Sequence, residues 1–449
     1  MRNGKSVRTI AVSGVALLAL AACGGGGEDE GGTSAEGGGS GSEEKQINVY
    51  GTDGNVGDPL GEQFEEEGAL AGMKGTTPLT DLSDEFTDRL LEVDPELGST
   101  FNYAGESYDA VVITALASAM AQSNQATAFA PYVNGVTFGG DKCEDFASCL
   151  AIIEAGGNPD YDGVTGPLAF AEPGEPAVAS FGTLQFGPDN VIDNSLTEYL
   201  VVGDEENAAS DEGPAPAAFG SGDGTGPLRI GTLLPLTGSL AFLGPPEVAG
   251  VQLAINEINE AGGVLGAPVE VISGDSGDTS SNIASQTVAS HQQAGVNAII
   301  GAASSDVTKT VIDTVTQAGI LMFSPANTSN DFTTYADNGL YFRTAPPDLM
   351  QGQVLADLIS KEGNQSVGIL AQNGEYGTGL AQVIADNLAN AGLGEDVVKQ
   401  VYYDPNASDF SDVVQQMVDL NPDAIVVIGF DESGRIIQVM NEQGIGPAR

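Results

Sequence analysis

From residue 228 onward, short runs of aliphatic and β-branched residues alternate with longer stretches in which apolar positions recur every three or four residues. A strand covered on both faces produces the first pattern and a helix lying on a sheet produces the second. Their regular alternation specifies a doubly wound α/β sheet. Residues 228–234 read as a strand. Residues 245–263 read as a helix whose Val248, Val251, Ile255 and Ile258 share one face and whose Gly262-Gly263 pair ends it. The pattern repeats as strand 269–272, helix 281–294, strand 298–301, helix 306–318 and strand 320–323. Thr344-Ala345-Pro346-Pro347 interrupts it, because two prolines forbid a continuing element. A second series follows: helix 349–361, strand 366–371, helix 378–391, strand 397–403, helix 410–420, strand 424–430 and helix 432–443. Two Rossmann-like sheets joined near Pro346 imply two lobes with a hinge and a cleft between them.

This second series stops at Arg449, where a further strand is due, and residues 46–51, Gln-Ile-Asn-Val-Tyr-Gly, read as that strand at the other end of the chain. Helices at 84–93 and 107–123 and short Gly/Pro-rich strands follow up to about residue 202. Residues 203–227, rich in Ala, Gly, Pro, Asp and Glu, read as a flexible linker, as do the Gly, Ser and acidic residues of 24–45.

Ahead of these lie Arg2, Lys5 and Arg8, an apolar run over 10–22 broken by Ser13 and Gly14, and the sequence Leu-Leu-Ala-Leu-Ala-Ala-Cys-Gly at 17–24. The run is too short to span a bilayer, and the pattern resembles a bacterial lipoprotein signal over 1–23, with Cys23 as the lipidated residue. That places the body outside the cytoplasm, anchored by lipid to the outer face of the membrane or in the periplasm. The net charge of −49 argues against nucleic acid as a partner, since phosphate neutralisation needs clustered Lys and Arg. A hydrophobic fraction of 41% over 449 residues is ample for a two-lobed core. With Cys23 taken by lipid, Cys143 and Cys149 remain, and in an oxidising compartment they are expected to form a local disulfide. Zinc would need two further soft ligands, and the single histidine, His291, is expected as a partly exposed helix residue. No metal or cofactor is expected.

Residues 228–449 resemble the first two thirds of the branched-chain amino-acid-binding family of ABC-importer substrate-binding proteins, of periplasmic-binding-protein type I fold. The motifs that carry this are Ile230-Gly-Thr-Leu-Leu-Pro-Leu-Thr-Gly, Ala254-Ile-Asn-Glu-Ile-Asn-Glu-Ala-Gly-Gly-Val-Leu-Gly, Ile300-Gly-Ala-Ala-Ser-Ser, Phe323-Ser-Pro-Ala-Asn-Thr and Tyr376-Gly-Thr-Gly-Leu. Residues 46–202 resemble the remaining third, including Gly51-Thr-Asp-Gly and Tyr108-Asp-Ala-Val. The order is that of a circular permutant, natural or engineered. Residues 228–346 form lobe 1, residues 347–449 with 46–75 form lobe 2, and about 76–185 return to lobe 1. Linkers of this length let one chain close on itself as a monomer; exchange of halves between two chains is the alternative.

Ligands of open α/β sheets bind beyond the carboxyl ends of strands, where helix N-termini offer unpaired N–H groups. Ser304 and Ser305, between strand 298–301 and the next helix, suit a carboxylate there, although Ser-Ser-Asp is also an ordinary helix cap. The resemblance implies that Ser305, Ala326 and Thr328 hold the ligand's α-carboxylate. Asp53 is the candidate partner for an ammonium group from the opposing lobe, or else a turn aspartate, and it is shorter than the acid frequent in the family. Tyr376 and Phe430 would add aromatic walls and Leu243 an aliphatic one, with Phe430 equally readable as core.

These readings converge on a receptor that captures a small amino acid, branched-chain by the resemblance, through hinge closure and delivers it to an ABC permease. A sensory module of the same fold, or a binder of urea, short amides or another small polar solute, are the alternatives. An enzyme is not expected: no Gly-x-Ser-x-Gly, His-Glu-x-x-His or phosphate-loop motif is present.

Overall fold

The computed structural model describes residues 45–99, 101–221 and 226–447. Cys23, the signal over 1–23 and residues 24–44 of the first linker lie outside the described residues.

Along the chain come β1 (Asn48–Gly51), α1 (Asp58–Gly61), β2 (Lys74–Pro78), α2 (Asp84–Val93), α3 (Ala104–Ala121), α4 (Ala126–Phe129), β3 (Asp141–Cys143), α5 (Phe146–Glu154), β4 (Pro159–Tyr161), β5 (Val178–Gln185) and β6 (Glu198–Gly203). They are followed by β7 (Arg229–Leu233), α6 (Gly244–Glu260), β8 (Glu270–Ile272), α7 (Ile283–Ala294), β9 (Ala298–Gly301), α8 (Ser305–Gln317), β10 (Leu321–Ser324) and β11 (Tyr341–Arg343). The remainder is α9 (Asp348–Lys361), β12 (Val367–Gln372), α10 (Glu375–Asn390), β13 (Val398–Tyr403), α11 (Ser411–Leu420), β14 (Ala424–Ile428) and α12 (Ser433–Glu442).

Two main sheets result. One runs β11-β10-β9-β7-β8, all parallel. The other runs β13-β12-β14-β1-β2-β5-β6, parallel as far as β2 and antiparallel beyond it. β1 thus lies between β14 and β2, with Val49 opposite Ile425 and Tyr50 opposite Val426. β12 and β14 are buried at every position, which is why they read as continuous apolar runs: α9 and α10 cover one face, α11 and α12 the other. In the first lobe α3 and α6 cover one face and α7 and α8 the other. α3 and α6 approach so closely that a Cβ at Gly250 would lie 2.1 Å from the Ala104 carbonyl oxygen. Glycine at that position is what lets the two helices touch.

Among the described residues the chain crosses between lobes at 79–83, 171–177, after residue 203, and at 344–347. The third crossing, expected as a flexible linker, is fastened to the first lobe along its described part. Ala209 N–H donates to Phe170 O (2.8 Å), Ala217 N–H to Met120 O (2.9 Å), Gly220 N–H to Gln122 Oε1 (2.7 Å), and the Tyr132 hydroxyl to Ala215 O (3.3 Å). Cys143 and Cys149 are joined in a disulfide, S–S 2.04 Å, that ties β3 to α5. His291 departs from expectation: it is buried, with Nε2 2.8 Å from Thr232 O. Gly231 and Gly274 leave the room its ring fills, since a Cβ on either would come within 2.8 Å of it. Among the described residues no helix is long and apolar enough to cross a membrane.

Candidate ligand-binding site

The loops after β9 and β10 form one wall of a narrow cavity between the lobes, with about 20 Å³ open to water-sized solvent in this shut form. Ser304 caps α8, its Oγ accepting from Val307 N–H at 3.3 Å, so the capping reading of Ser-Ser-Asp is realised at that position. Ser305 follows as the first helical residue, and its Oγ accepts from Ser329 N–H at 3.4 Å, joining the two loops. Ser324 fixes the second loop: its hydroxyl donates to Ala302 O (2.7 Å) and accepts from Asn327 N–H (2.9 Å). Asn327 Nδ2 reaches Ala303 O at 2.7 Å. Beneath the loop, buried Arg343 donates to Ser329 O (2.7 Å) and Asn327 O (3.2 Å) while its Nε pairs with Glu175 Oε2 at 3.0 Å. A guanidinium fork fixed by a carboxylate is a rigid brace, and it holds the carbonyls on either side of Thr328 in place.

The opposing wall begins at the turn after β1. Asn55 shapes that turn by accepting from Thr52 N–H (2.9 Å) and donating to Val427 O (2.9 Å) and Ser433 Oγ (3.0 Å). The buried Asp53 carboxylate accepts three bonds: Oδ1 from the Tyr376 hydroxyl (2.6 Å) and Gln351 Nε2 (2.8 Å), Oδ2 from the Tyr103 hydroxyl (2.9 Å). Tyr103 comes from the first lobe, so its bond spans the cleft. Its backbone at the start of α3 takes the left-handed conformation (φ 58°), which costs a bulky residue free energy that the surrounding contacts must offset. Burial pushes the Asp53 carboxyl above its ordinary value even though the three donors pull it down. The Tyr103 and Tyr376 phenols are held well above their usual range by burial and by Asp53, so both keep their protons and act as donors. Tyr376 stacks on Phe430 with centroids 5.5 Å apart and 14° between planes.

All eight residues expected at the site, Asp53, Leu243, Ser304, Ser305, Ala326, Thr328, Tyr376 and Phe430, line this one cavity. Four more were not foreseen: Gly54, Tyr103, Leu240 and Ala303. Gln351, Arg343 and Glu175 also went unread. Arg343 carried a signal, being one of few cations in so acidic a chain and standing in the strand Tyr-Phe-Arg; Tyr103 and Gln351 carried none, since each is placed by tertiary packing alone. The cavity can therefore present hydroxyl donors and a helix N-terminus on one side, an acid on the other, and apolar flanks between them.

Asp306 of α8 reaches across the cleft to accept from Glu375 N–H at the start of α10, 2.6 Å, and Lys309 lies 3.6 Å from the Glu375 carboxylate. The lobes are thus shut on each other beside the cavity.

Residues 227–449 match the family described as periplasmic binding protein. Over 217 residues the chain is 28% identical to the Leu/Ile/Val-binding protein homolog 3 of Brucella melitensis, covering 47% of this chain and 56% of that protein. Over 168 residues it is 32% identical to the leucine-, isoleucine-, valine-, threonine- and alanine-binding protein of Pseudomonas aeruginosa, covering 37% and 44%. The chain spans about half the length of the curated relatives it matches. Among solved structures, a leucine-binding protein from Thermotoga maritima is similar at 25% identity, TM-score 0.44, over 49% of this chain and 61% of that one. A branched-chain amino-acid transporter substrate-binding protein from Streptococcus pneumoniae, in complex with isoleucine, is similar at 30% identity, TM-score 0.43, over 49% and 62%.

Proposed function

Since residues 227–449 belong to the periplasmic-binding-protein family, we propose that this chain is an extracytoplasmic receptor for a small aliphatic amino acid, closing its lobes on the ligand and handing it to an ABC permease. One observation carries the reading: the cavity sets the hydroxyls of Ser304, Ser305 and Thr328 and the N-terminus of α8 against the Asp53 carboxylate. A zwitterion satisfies both sides at once. The carboxylate meets the helix N-terminus, where dipole and unpaired N–H groups favour an anion. The ammonium meets Asp53, whose burial makes its unpaired charge costly. Leu240, Leu243 and Phe430 take an aliphatic side chain. The relatives named for leucine, isoleucine and valine binding support this choice.

The order of the two segments supports the permutation as part of the reading. β1 fills the place beside β14 and α3 covers the sheet of the other lobe, so residues 46–202 complete what residues 228–449 begin. Lipid at Cys23 would anchor the body to the membrane. Isothermal titration with leucine, isoleucine and valine tests the function, with 4-methylpentanoate and isoamylamine as analogues lacking the amine or the carboxylate. Saturable binding of the amino acids with loss of both analogues is expected. Equal affinity for either analogue refutes the two-sided site.

A further inference from the structure

β6 is the last strand of the seven-stranded sheet, and among the described residues no strand pairs with its outer edge. Proteins blunt such an edge with charge, proline or a bulge, because a bare row of N–H and C=O groups is a template for another strand. β6 carries none of these from Tyr199 to Gly203. Among the described residues nine large apolar side chains stand exposed, and Leu196, Tyr199, Leu200 and Val201 are four of them, with Leu200 at 50% and Val201 at 67%. Leu200 shares a face with Val202, which packs with Ala179, Phe181 and Val354; Tyr199 and Val201 stand on the opposite face. In a chain of net charge −49, an uncharged apolar edge is a surface suited to contact.

The ladder between β5 and β6 shows which backbone groups face outward. Asp204 N–H donates to Ala177 O at 3.2 Å, and the register runs from Gly203 opposite Val178 to Glu198 opposite Thr183. Hydrogen bonding alternates along an antiparallel pair, so Glu198, Leu200 and Val202 turn their N–H and C=O groups to β5. Tyr199, Val201 and Gly203 turn theirs to the free edge. A second copy of β6 meeting this edge about a two-fold axis runs antiparallel to it, and bonds form only where outward groups meet outward groups. Centred on Val201, the pairing sets Glu198 against Asp204 of the other copy, a like-charge contact made twice. Centred on Tyr199, it engages only residues 198–200 of the strand. Centred on Leu200, it sets Leu200 against itself, Tyr199 against Val201 and Glu198 against Val202, and carries Asp204 past Leu196. Glu198 keeps Lys361 of its own α9, 3.9 Å away.

We propose that the outer edge of β6 is an interface between two copies of this chain, joined by an antiparallel β6–β6 pair centred on Leu200. The outward N–H and C=O groups of Tyr199 and Val201 continue the ladder from one copy into the other. The two Tyr199–Val201 contacts match an aromatic with a β-branched residue, a cross-strand pair that stabilises sheets. Each chain keeps its own lobes, and no segment is exchanged. Residues 24–44 do not suit this edge, since Ala35 is their one apolar residue among Gly, Ser, Thr and acids. One strand and its flanking side chains make a narrow contact, which sets the dissociation constant on the order of 10 µM. Two acidic copies repel, and salt screens that repulsion over about 8 Å at physiological ionic strength, so association strengthens as salt is added.

Sedimentation velocity of the full chain with Cys23→Ser, which removes the lipid attachment point and its thiol, tests this in low and high salt. A monomer–dimer equilibrium is expected, tighter in high salt. Leu200→Lys sets two cations opposite each other across the axis and is expected to weaken the dimer about tenfold or more. Val201→Pro removes an N–H that faces the free edge and not β5, and is expected to do the same should the first variant fail to fold. In the same background Leu200→Cys is expected to give a disulfide-linked dimer on mild oxidation, because its two copies face each other at a Cα separation of about 4.5 Å. Glu198→Cys is expected not to link, its two copies lying about 13 Å apart along the strands. A chain that stays monomeric at about 200 µM in high salt overturns the proposal. So does a dimer that salt weakens, one that survives both Leu200→Lys and Val201→Pro, or one that Glu198→Cys links as readily as Leu200→Cys.

Discussion

Replacing Asp53 by asparagine tests the ammonium side of the site with the least disturbance of shape. Asparagine keeps an oxygen to accept from Tyr376 and Gln351, and the Tyr103 hydroxyl can turn to accept from the new amide, so the three bonds have partners in the variant. What disappears is the negative charge. Removing one member of a buried, hydrogen-bonded charge pair costs about 2–5 kcal/mol of binding. At about 1.4 kcal/mol per decade, this is a loss of about 30- to 4,000-fold in leucine affinity. The empty protein should not suffer in parallel: burial holds the Asp53 carboxyl above its ordinary value, so a neutral side chain there removes a desolvated charge from the folded state. Calorimetry on the variant is expected to show leucine binding weakened at least 30-fold, with a melting temperature at pH 7.5 no lower than that of wild type. An affinity within threefold of wild type refutes the assignment of Asp53 to the ammonium. A variant that melts well below wild type refutes the claim that its charge is a burden in the empty cleft.

Asp306→Ala removes the bond to the start of α10, a charged hydrogen bond worth about 1.5–3 kcal/mol, and should weaken leucine binding about tenfold or more while widening the unliganded particle in small-angle scattering. Cys143→Ser with Cys149→Ser opens a loop of sequence separation 6 and should cost about 2 kcal/mol in denaturant unfolding, with the order of ligand affinities unchanged. Burial pushes Glu106 to about 8 from an ordinary value of 4.5. Between those values the folded state holds a proton that the unfolded chain has lost, so stability falls as pH rises from 5 to 8; Glu106→Gln should melt with wild type at pH 5 and above it at pH 8.

The fold was legible where periodicity and burial coincide. β12 and β14 are continuous apolar runs because helices cover both their faces, and a short apolar run between amphipathic stretches has few other structures open to it. The cavity was legible where strand ends meet helix starts, at Ser304, Ser305, Ala326 and Thr328, because α/β topology places such loops at the cleft. It was less legible where the second lobe's side chains are aimed by contacts distant in sequence. Tyr103 meets Asp53 across 50 positions and Gln351 meets it across 298, and no local pattern announces either. His291 misled because a lone histidine in a polar helix resembles a surface residue; two glycines far from it in sequence make its buried berth. The segment after residue 203 misled for a related reason. Its composition is that of a coil, but the backbone N–H groups of Ala209, Ala217 and Gly220 find acceptors on the first lobe.

The geometry also divides ligand selection unequally between the two ends of an amino acid. At the polar end, a ligand without its amine leaves Asp53 unmatched and a ligand without its carboxylate leaves the start of α8 unmatched, and each unpaired buried group costs about 1–3 kcal/mol or more. At the apolar end, Leu240, Leu243 and Phe430 distinguish side chains by packing alone, where one methylene is worth about 1–3 kcal/mol at most. A polar site rejects a missing partner more sharply than an apolar wall rejects a missing methyl group. Both polar ends are reached together only when the lobes are shut, because the acid stands on one lobe and the hydroxyl loops on the other. The contacts that span the cleft beside them, Tyr103 to Asp53 and Asp306 to Glu375, are individual hydrogen bonds of modest net worth, to which a ligand that reaches both walls adds its own. Selection for the zwitterion and closure of the cleft are therefore one free-energy difference, and a ligand that fills the apolar end without bridging both polar walls has little with which to hold the lobes together.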